Sequence, residues 1–148
     1  FLSCFKNSNI SKAQAYISIL DLVRNRPVRF SDTDLARYQP EPDTVIETPV
    51  KKIAVPKEFI AEKTLVVRRS DIDFNEHVHN TAYLTLAMEV LPEELYKEQN
   101  FQAIRINFKK ALFLDDVATI KLAQTEQGYT VAIYKEADQL CCLVDFVV

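Results

Sequence analysis

The sequence contains almost no glycine, since Gly128 is the only one among its 148 residues. Loops that cradle phosphate groups need several glycines, because the backbone must approach the phosphate closely. Neither a Walker A loop nor a dinucleotide-binding fingerprint can be written on this chain. The scarcity of glycine therefore argues against ATP, GTP and NAD chemistry, and no cofactor is expected.

The chain also lacks an excess of positive charge, long apolar runs and a zinc-binding cysteine pattern. Its 18 Lys and Arg residues are outnumbered by 21 Asp and Glu residues, so a nucleic-acid partner is not expected. The apolar runs are too short to cross a bilayer. Three cysteines without Cys-x-x-Cys spacing indicate reduced thiols in a cytoplasmic protein. Of these, Cys141 and Cys142 are neighbours on a predicted strand and should point to opposite faces.

The N-terminal part of the chain predicts an incomplete unit followed by a linker. Residues 1–6 lack the features of a signal peptide, and we expect them to be an interior piece of a longer protein. Residues 1–30 predict two strands, 1–5 and 13–22, which cannot bury a core by themselves. Residues 31–58 carry four of the six prolines and predict an inter-domain linker, with a short helix capped near Ser31.

Residues 59–148 predict one compact α+β unit. Apolar residues at helical spacing predict a helix over 80–91, with Asn80 as its N-cap and Pro92 at its exit. A further helical turn is predicted at 93–98. Alternating or apolar runs predict antiparallel strands over 64–69, 104–108, 117–124, 129–134 and 140–148. This order favours a curved antiparallel sheet that wraps one central helix.

Polar side chains are concentrated immediately before that helix. Asp73, Asn75 and His77 alternate, so they would share one side of an extended segment. The segment leads into a helix N-terminus, where unpaired N–H groups favour negative charge. A carboxylate, an amide, an imidazole and such N–H groups are the parts needed to hydrolyse an ester or thioester.

Two other interpretations of these polar residues stay open. Asp and Asn before a helix are common caps and turn formers. A metal could also bind Asp73, His77 and His79, but the i,i+2 spacing of the histidines differs from the i,i+4 pair of zinc hydrolases.

The run of residues 69–84, RSDIDFNEHVHNTAYL, resembles the signature of acyl-ACP thioesterases, S-D-I/L-D-x-N-x-H-V-N-N-x-x-Y. Residues 88–92 resemble the end of that family's helix. Residues 13–30 resemble the close of the first of its two tandem hotdog domains, where a strand that reaches an Asp leads to R-x-R-P-V-R, here within residues 20–29. The resemblance implies a hotdog fold, with 1–30 as the terminal strands of a truncated first hotdog, 31–58 as the linker and 59–148 as the second, catalytic hotdog.

The resemblance also implies a function and a set of site residues. The function is hydrolysis of fatty-acyl thioesters on acyl carrier protein in fatty acid biosynthesis. The resemblance assigns catalysis to three residues. Asp73 would be the carboxylate that acts on water or on the carbonyl, and Asn75 would position the thioester or the water. His77 would orient the carboxylate and relay protons. Substrate binding and oxyanion stabilisation would fall to Val78, His79 and Asn80. The expected partners are acyl carrier protein and another hotdog unit, in tandem or as a homodimer.

Two positions depart from the family pattern. His79 stands where the signature has the first asparagine of its Asn-Asn pair. Ala111 stands where a stretch resembling Y-R-R-E has an acidic or cysteine residue. Two alternatives therefore stay open beside the acyl-ACP thioesterase: an acyl-CoA thioesterase of the same fold, and a non-catalytic acyl-binding or partner domain, which Ala111 and the truncated first hotdog favour.

Overall fold

A computed structural model describes residues 2–7, 10–21, 23–24, 26–38, 46, 52–136 and 138–148, with only the backbone described for 2–7, 10 and 11. Of the predicted strands and linker, position 1, position 22 and the linker segments 39–45 and 47–51 lie outside these residues.

The described strands form a seven-stranded and a two-stranded antiparallel sheet. In chain order the strands are β1 (Leu2–Asn7), β2 (Ile10–Ala15), β3 (Ile19–Asp21), β4 (Arg26–Val28), β5 (Ala61–Val66), β6 (Ala103–Phe108), β7 (Val117–Thr125), β8 (Gly128–Lys135) and β9 (Gln139–Val147). The large sheet runs β2-β1-β6-β9-β8-β7-β5, and β3 pairs with β4. Strand β1 thus joins the sheet of the C-terminal unit through β6.

Helix α1 (Asn80–Met88) packs against β8 and β9 on one face of the large sheet. Its buried residues Tyr83, Leu86 and Ala87 belong to a single apolar cluster with side chains from β6 to β9. A shorter helix, α2 (Glu93–Glu98), follows it. The predicted α+β arrangement is therefore confirmed. No helix of the described residues is long and apolar enough to span a membrane.

The opposite face of the sheet is partly covered by the end of the predicted linker. Ile53 is buried against Ala132 and Leu143, and the rings of Phe59 and Tyr134 meet edge to face at 6.5 Å between centroids. Residues 52–59 therefore pack on the outer surface of β8 and β9 and are more than a spacer. The polar loop before α1 lies on the uncovered face of the sheet, the same face that carries the helix.

The prediction of two strands in residues 1–30 is wrong, because the described backbone forms four. Strand β2 ends at Ala15, where it meets Leu2, the first residue of its partner β1; a strand cannot continue without a partner backbone. Strands β3 and β4 pair with each other, and Val23 and Arg24 lie in the turn between them. Asp21 closes that turn, because its Oδ1 accepts the N–H groups of Val23 and Arg24 at 2.9 and 3.0 Å.

The helix predicted near Ser31 consists of two short 3₁₀ turns, Phe30–Asp32 and Asp34–Arg37. The N-caps of these turns are Arg29 and Thr33, and neither makes a side-chain capping bond. The hydroxyls bond locally instead: Ser31 Oγ donates to Asp32 Oδ1, and Thr33 Oγ1 donates back to Phe30 O. Local side-chain bonds of this kind compete with helix formation.

The other predicted elements are present with shifted ends. The first strand of the C-terminal unit is Ala61–Val66 and not 64–69, because a 3₁₀ turn, Arg69–Asp71, begins the polar loop. Helix α1 ends at Met88, three residues before the predicted end.

Cys141 and Cys142 do not face opposite sides of the sheet, as the sequence predicted. Both are fully buried in the core on the helix side. The pairing between β8 and β9 shifts at Ile133/Tyr134, and this β-bulge breaks the alternation that the prediction assumed.

The single glycine occupies a position that excludes a side chain. Gly128 has a φ of 140°, and a Cβ there would lie 2.1 Å from the carbonyl oxygen of Phe146. Replacing Gly128 by alanine is therefore expected to lower the free energy of unfolding by more than about 1 kcal/mol, because the clash is with the backbone of a central strand. Urea unfolding measures this, with the exposed neighbour variant Gln127→Ala as the control. Equal stabilities of the two variants would contradict the close approach.

Candidate active site

The polar loop before α1 is anchored by the buried side chain of Asp71. Its carboxylate accepts the backbone N–H of Arg68 at 2.9 Å and two guanidinium bonds from the same residue at 3.1 and 3.2 Å. Burial opposes ionisation of Asp71, but these bonds together hold the pKa of its carboxyl below the usual value. The backbone oxygen of Asp71 also accepts the N–H of His79 at 2.8 Å. Asp71 therefore fixes both ends of the loop.

Between these ends the chain folds back on itself. Ile72 and Val78 form an antiparallel bridge, and the N–H of Asp73 donates to the oxygen of His77 at 2.9 Å. Glu76 takes a φ of 63° at the tip. The prediction that Asp73, Asn75 and His77 share one side of an extended segment is therefore wrong in its geometry, because a tight turn and not β alternation brings them together.

The three side chains predicted for catalysis nevertheless line one cleft. The cavity is about 340 Å³ in volume, and Asp73, Asn75 and His77 form one wall while residues 108–111 form the other. Asp73 is half-buried, and its Oδ1 accepts the N–H of Asn75 at 2.8 Å. Within the described part of the chain, its Oδ2, the Asn75 amide and the His77 imidazole make no hydrogen bonds. These groups are free to meet a substrate.

The N–H groups at the start of α1 are not equally available. Val78 donates its N–H to the oxygen of Leu112 at 2.9 Å, and the His79 N–H is engaged by Asp71. The N–H of Asn80 has no partner among the described residues. Of the three residues predicted to stabilise an oxyanion, Asn80 therefore offers the free backbone donor, and it lines the cleft.

His79 caps α1, so the prediction of Asn80 as the N-cap is wrong by one residue. The ring Nδ1 of His79 accepts the N–H of Thr81 at 3.2 Å and lies 2.7 Å from Thr81 Oγ1. A backbone N–H can only donate, so Nδ1 carries no proton in this arrangement and the ring proton is on Nε2. Asn80 is the first helical residue, and an imidazole performs the capping role usually given to Ser, Thr, Asp or Asn.

The capping role of His79, which departs from the family signature, can be tested by substitution. His79→Asn is expected to leave the free energy of unfolding within about 0.5 kcal/mol, because asparagine is itself a strong N-cap, whereas His79→Ala is expected to lower it by about 1 kcal/mol. Urea denaturation of the two variants beside the unsubstituted protein measures both values. An alanine variant as stable as the asparagine variant would show that the Nδ1 bond contributes nothing.

The far wall of the cleft is held by Tyr83, a role that the sequence did not predict. Its hydroxyl accepts the N–H of Leu112 at 2.8 Å and lies 3.4 Å from the oxygen of Lys110, to which it donates. Burial raises the pKa of the Tyr83 phenol well above its usual value, so the group stays neutral. Tyr83 thereby holds the backbone on both sides of Ala111.

The composition of the lining limits the groups available for chemistry. Of the described residues that line the cleft, Asp73 is the one with a carboxylate, and Lys109 and Lys110 carry ammonium groups. Ala111 is half-buried in the wall and supplies no acid. Among the described residues, no group of three His, Cys, Asp or Glu side chains is placed to hold a metal ion.

Comparison with known proteins decides the family. The acyl-ACP thioesterase C-terminal domain matches residues 55–143, well over half of the chain. The chain belongs to the acyl-ACP thioesterase family. Over 50 residues it is 34% identical to oleoyl-acyl carrier protein thioesterase 1, chloroplastic, of Arabidopsis thaliana; the match covers 34% of this chain and 14% of that relative.

Solved structures of acyl-ACP thioesterases share the fold. One from Bacteroides thetaiotaomicron superposes with a TM-score of 0.68 at 21% identity, covering 86% of this chain and 52% of that one. The 12:0-ACP thioesterase from Umbellularia californica gives a TM-score of 0.67 at 12% identity, covering 93% and 53%. The chain thus spans about half the length of each. These likenesses confirm the predicted α+β hotdog fold, with an antiparallel sheet around one central helix.

Proposed function

We propose that this thioesterase-family chain carries the active site of an enzyme that releases fatty acid from acyl carrier protein in fatty acid biosynthesis. The observation that supports it most is the convergence of Asp73, Asn75 and His77 in one cleft at the N-terminus of α1. These are the residues that match the family signature, and each presents a polar group without a competing partner in the described structure.

In the proposed reaction, the thioester carbonyl lies beside the N–H of Asn80. Water adds to the carbonyl carbon, the C–S bond breaks, and the thiolate takes up the proton that the water has lost. The Asp73 carboxylate accepts that proton as a base. In the other route, Asp73 attacks the carbonyl itself and expels the thiolate, and water then hydrolyses the resulting mixed anhydride. His77 relays the proton to the leaving sulfur, and the Asn75 amide orients the carbonyl or the water. The Asn80 N–H stabilises the negative charge on the carbonyl oxygen.

An apolar cavity beside the cleft supports a fatty-acyl substrate. It measures about 370 Å³ and lies between residues 15–18, the start of α1 and strand β6. Its walls include Ile17, Leu84 and Ile106, and it shares Asn80 and Phe108 with the polar cleft. Volumes above about 300 Å³ are typical of small-molecule sites. The acyl chain can therefore occupy this cavity while its carbonyl lies in the cleft.

The sheet supports the proposal that residues 1–30 belong to a partner hotdog unit. Strand β1 adds to the outer edge of β6, with Leu2 opposite Ile106 and Phe5 opposite Ala103. Residues 15–18, which follow β2, then line the apolar cavity. We propose that a second unit, in tandem or as a homodimer, completes this side of the cavity.

The carrier is tested by comparing matched acyl-ACP and acyl-CoA substrates of several chain lengths with the full natural protein. Both carriers are anionic, and the exposed Lys109 and Lys110 have no ion-pair partner among the described residues, so charge alone does not select between them. We expect a kcat/KM at least about 10-fold higher for acyl-ACP. A preference for acyl-CoA would favour the alternative thioesterase. Binding of both without thiol release would favour the non-catalytic domain.

A further inference from the structure

We propose that Phe113 is a positioning residue that fixes the imidazole of His77, and that the Asp116–Lys135 ion pair holds Phe113 in place. This inference rests on the proposed function, because His77 is the group that Phe113 would orient. Phe113 does not belong to the signature loop, because it lies on the connection between β6 and β7.

The His77 ring is in contact with the ring of Phe113, which can fix its orientation. The side chain is exposed and makes no hydrogen bond within the described residues, so no polar contact limits its rotation. Its ring centroid lies 5.1 Å from that of Phe113, with the planes tilted by 60°. This separation is within the range of favourable aromatic pairs, about 4.5–7 Å. The Phe113 contact is therefore the interaction that selects among the rotamers of His77.

Phe113 is itself held from two directions. Its N–H donates to Asp116 Oδ2 at 2.9 Å. Lys135, on β8, places its Nζ 2.9 Å from Asp116 Oδ1 and 5.7 Å from the centre of the Phe113 ring. The hydrogen bond to Asp116 raises the pKa of Lys135, so the ammonium remains charged beside the ring. The backbone oxygen of Asp116 accepts the N–H of Val67 at 2.9 Å, which ties the same support to the end of β5.

In this arrangement the Phe113 ring serves as a support, and the His77 ring is the group that relays protons. Phe113 keeps 43% of its surface exposed, so core packing alone does not account for its position. Its anchored backbone and the ammonium beside its ring keep it next to the catalytic loop. His77 can then hold one orientation toward the cleft while its ring nitrogens stay free of protein partners, as a proton-relaying group requires.

Nuclear magnetic resonance of the imidazole signals tests the contact without requiring activity. The chain has two histidines, so His79→Asn assigns the signals of His77 directly. Loss of the aromatic ring in Phe113→Leu is expected to move the His77 ring-proton shifts toward those of a histidine in water, and Phe113→Tyr to leave them unchanged. The His79 signals serve as the internal reference. Identical His77 shifts in the unsubstituted protein and Phe113→Leu would overturn the inference.

Kinetics on an acyl-ACP substrate test the consequence. Phe113→Leu is expected to lower kcat about 3- to 10-fold with KM unchanged, as one aromatic contact allows, and Phe113→Tyr to restore it. In a His77→Ala background the Leu substitution should cause no further loss. Losses that multiply would show that Phe113 acts independently of His77 and would overturn the inference. If the unsubstituted protein hydrolyses no thioester, the proposed function fails, and the imidazole shifts alone decide whether Phe113 positions His77.

Discussion

Replacing Asp73 by asparagine is expected to lower kcat for thioester hydrolysis by at least about 100-fold, the contribution typical of a positioned acid or base. The physical reason is that Asp73 is the one acidic side chain among the described residues that line the cleft. Asparagine retains an Oδ1 that can accept the N–H of Asn75, the bond that Asp73 makes at 2.8 Å. The substitution therefore removes the negative charge while the turn is preserved.

A matched control separates loss of the charge from a general effect of the substitution. Asp115 is exposed, takes a positive φ of 65° that asparagine tolerates well, and does not line the cleft. Asp115→Asn should keep full activity, and both variants should unfold at the same urea concentration. If Asp73→Asn retained activity, Asp73 would be neither base nor nucleophile, and another group would have to act on the thioester.

Truncating Leu112 to alanine is expected to lower the free energy of unfolding by about 2–5 kcal/mol, the cost of a cavity in a packed core. Leu112 is fully buried in the main apolar cluster. Its backbone also joins the two walls of the cleft, because its N–H donates to Tyr83 and its oxygen accepts the N–H of Val78. Loosening this residue should therefore reduce stability and disturb the cleft together.

A second leucine on the connection between β6 and β7 provides the control for Leu112→Ala. Leu114 is 47% exposed, so Leu114→Ala should change the free energy of unfolding by no more than about 0.5 kcal/mol. Urea unfolding of the two variants compares the same chemical change at a buried and an exposed position. Equal losses would contradict the packing of Leu112 described here.

The periodic parts of the fold could be predicted from the sequence because burial follows spacing there. Tyr83 and Ala87 recur at helical spacing on α1 and are buried. On β6, Ile104, Ile106 and Phe108 alternate, and all three pack in or against the main apolar cluster. Cys141 shows the limit of this approach. It lies at a shift in the β8–β9 pairing, and that irregularity depends on both strands and not on local alternation.

The candidate site likewise has one part that the sequence predicted and one part that it did not. The signature run identified Asp73, Asn75 and His77 because they lie within one continuous segment. The opposite wall, residues 108–111, and the neighbouring residues Leu112 and Phe113 are brought to that segment by the course of the chain between β6 and β7, and no local pattern indicates this approach. Residues with ordinary core side chains, such as Tyr83, gain their function only from the backbone groups that they meet in three dimensions.

Hydrolysis in the cleft is tested by following the release of product from a radiolabelled acyl-ACP by the full natural protein. We expect free fatty acid and free carrier thiol to appear in equal amounts over many turnovers, with release lowered at least about 100-fold by Asp73→Asn and unaffected by Asp115→Asn. Tight binding of the acyl-ACP with no release of either product would contradict a hydrolytic cleft and would indicate an acyl-binding domain instead.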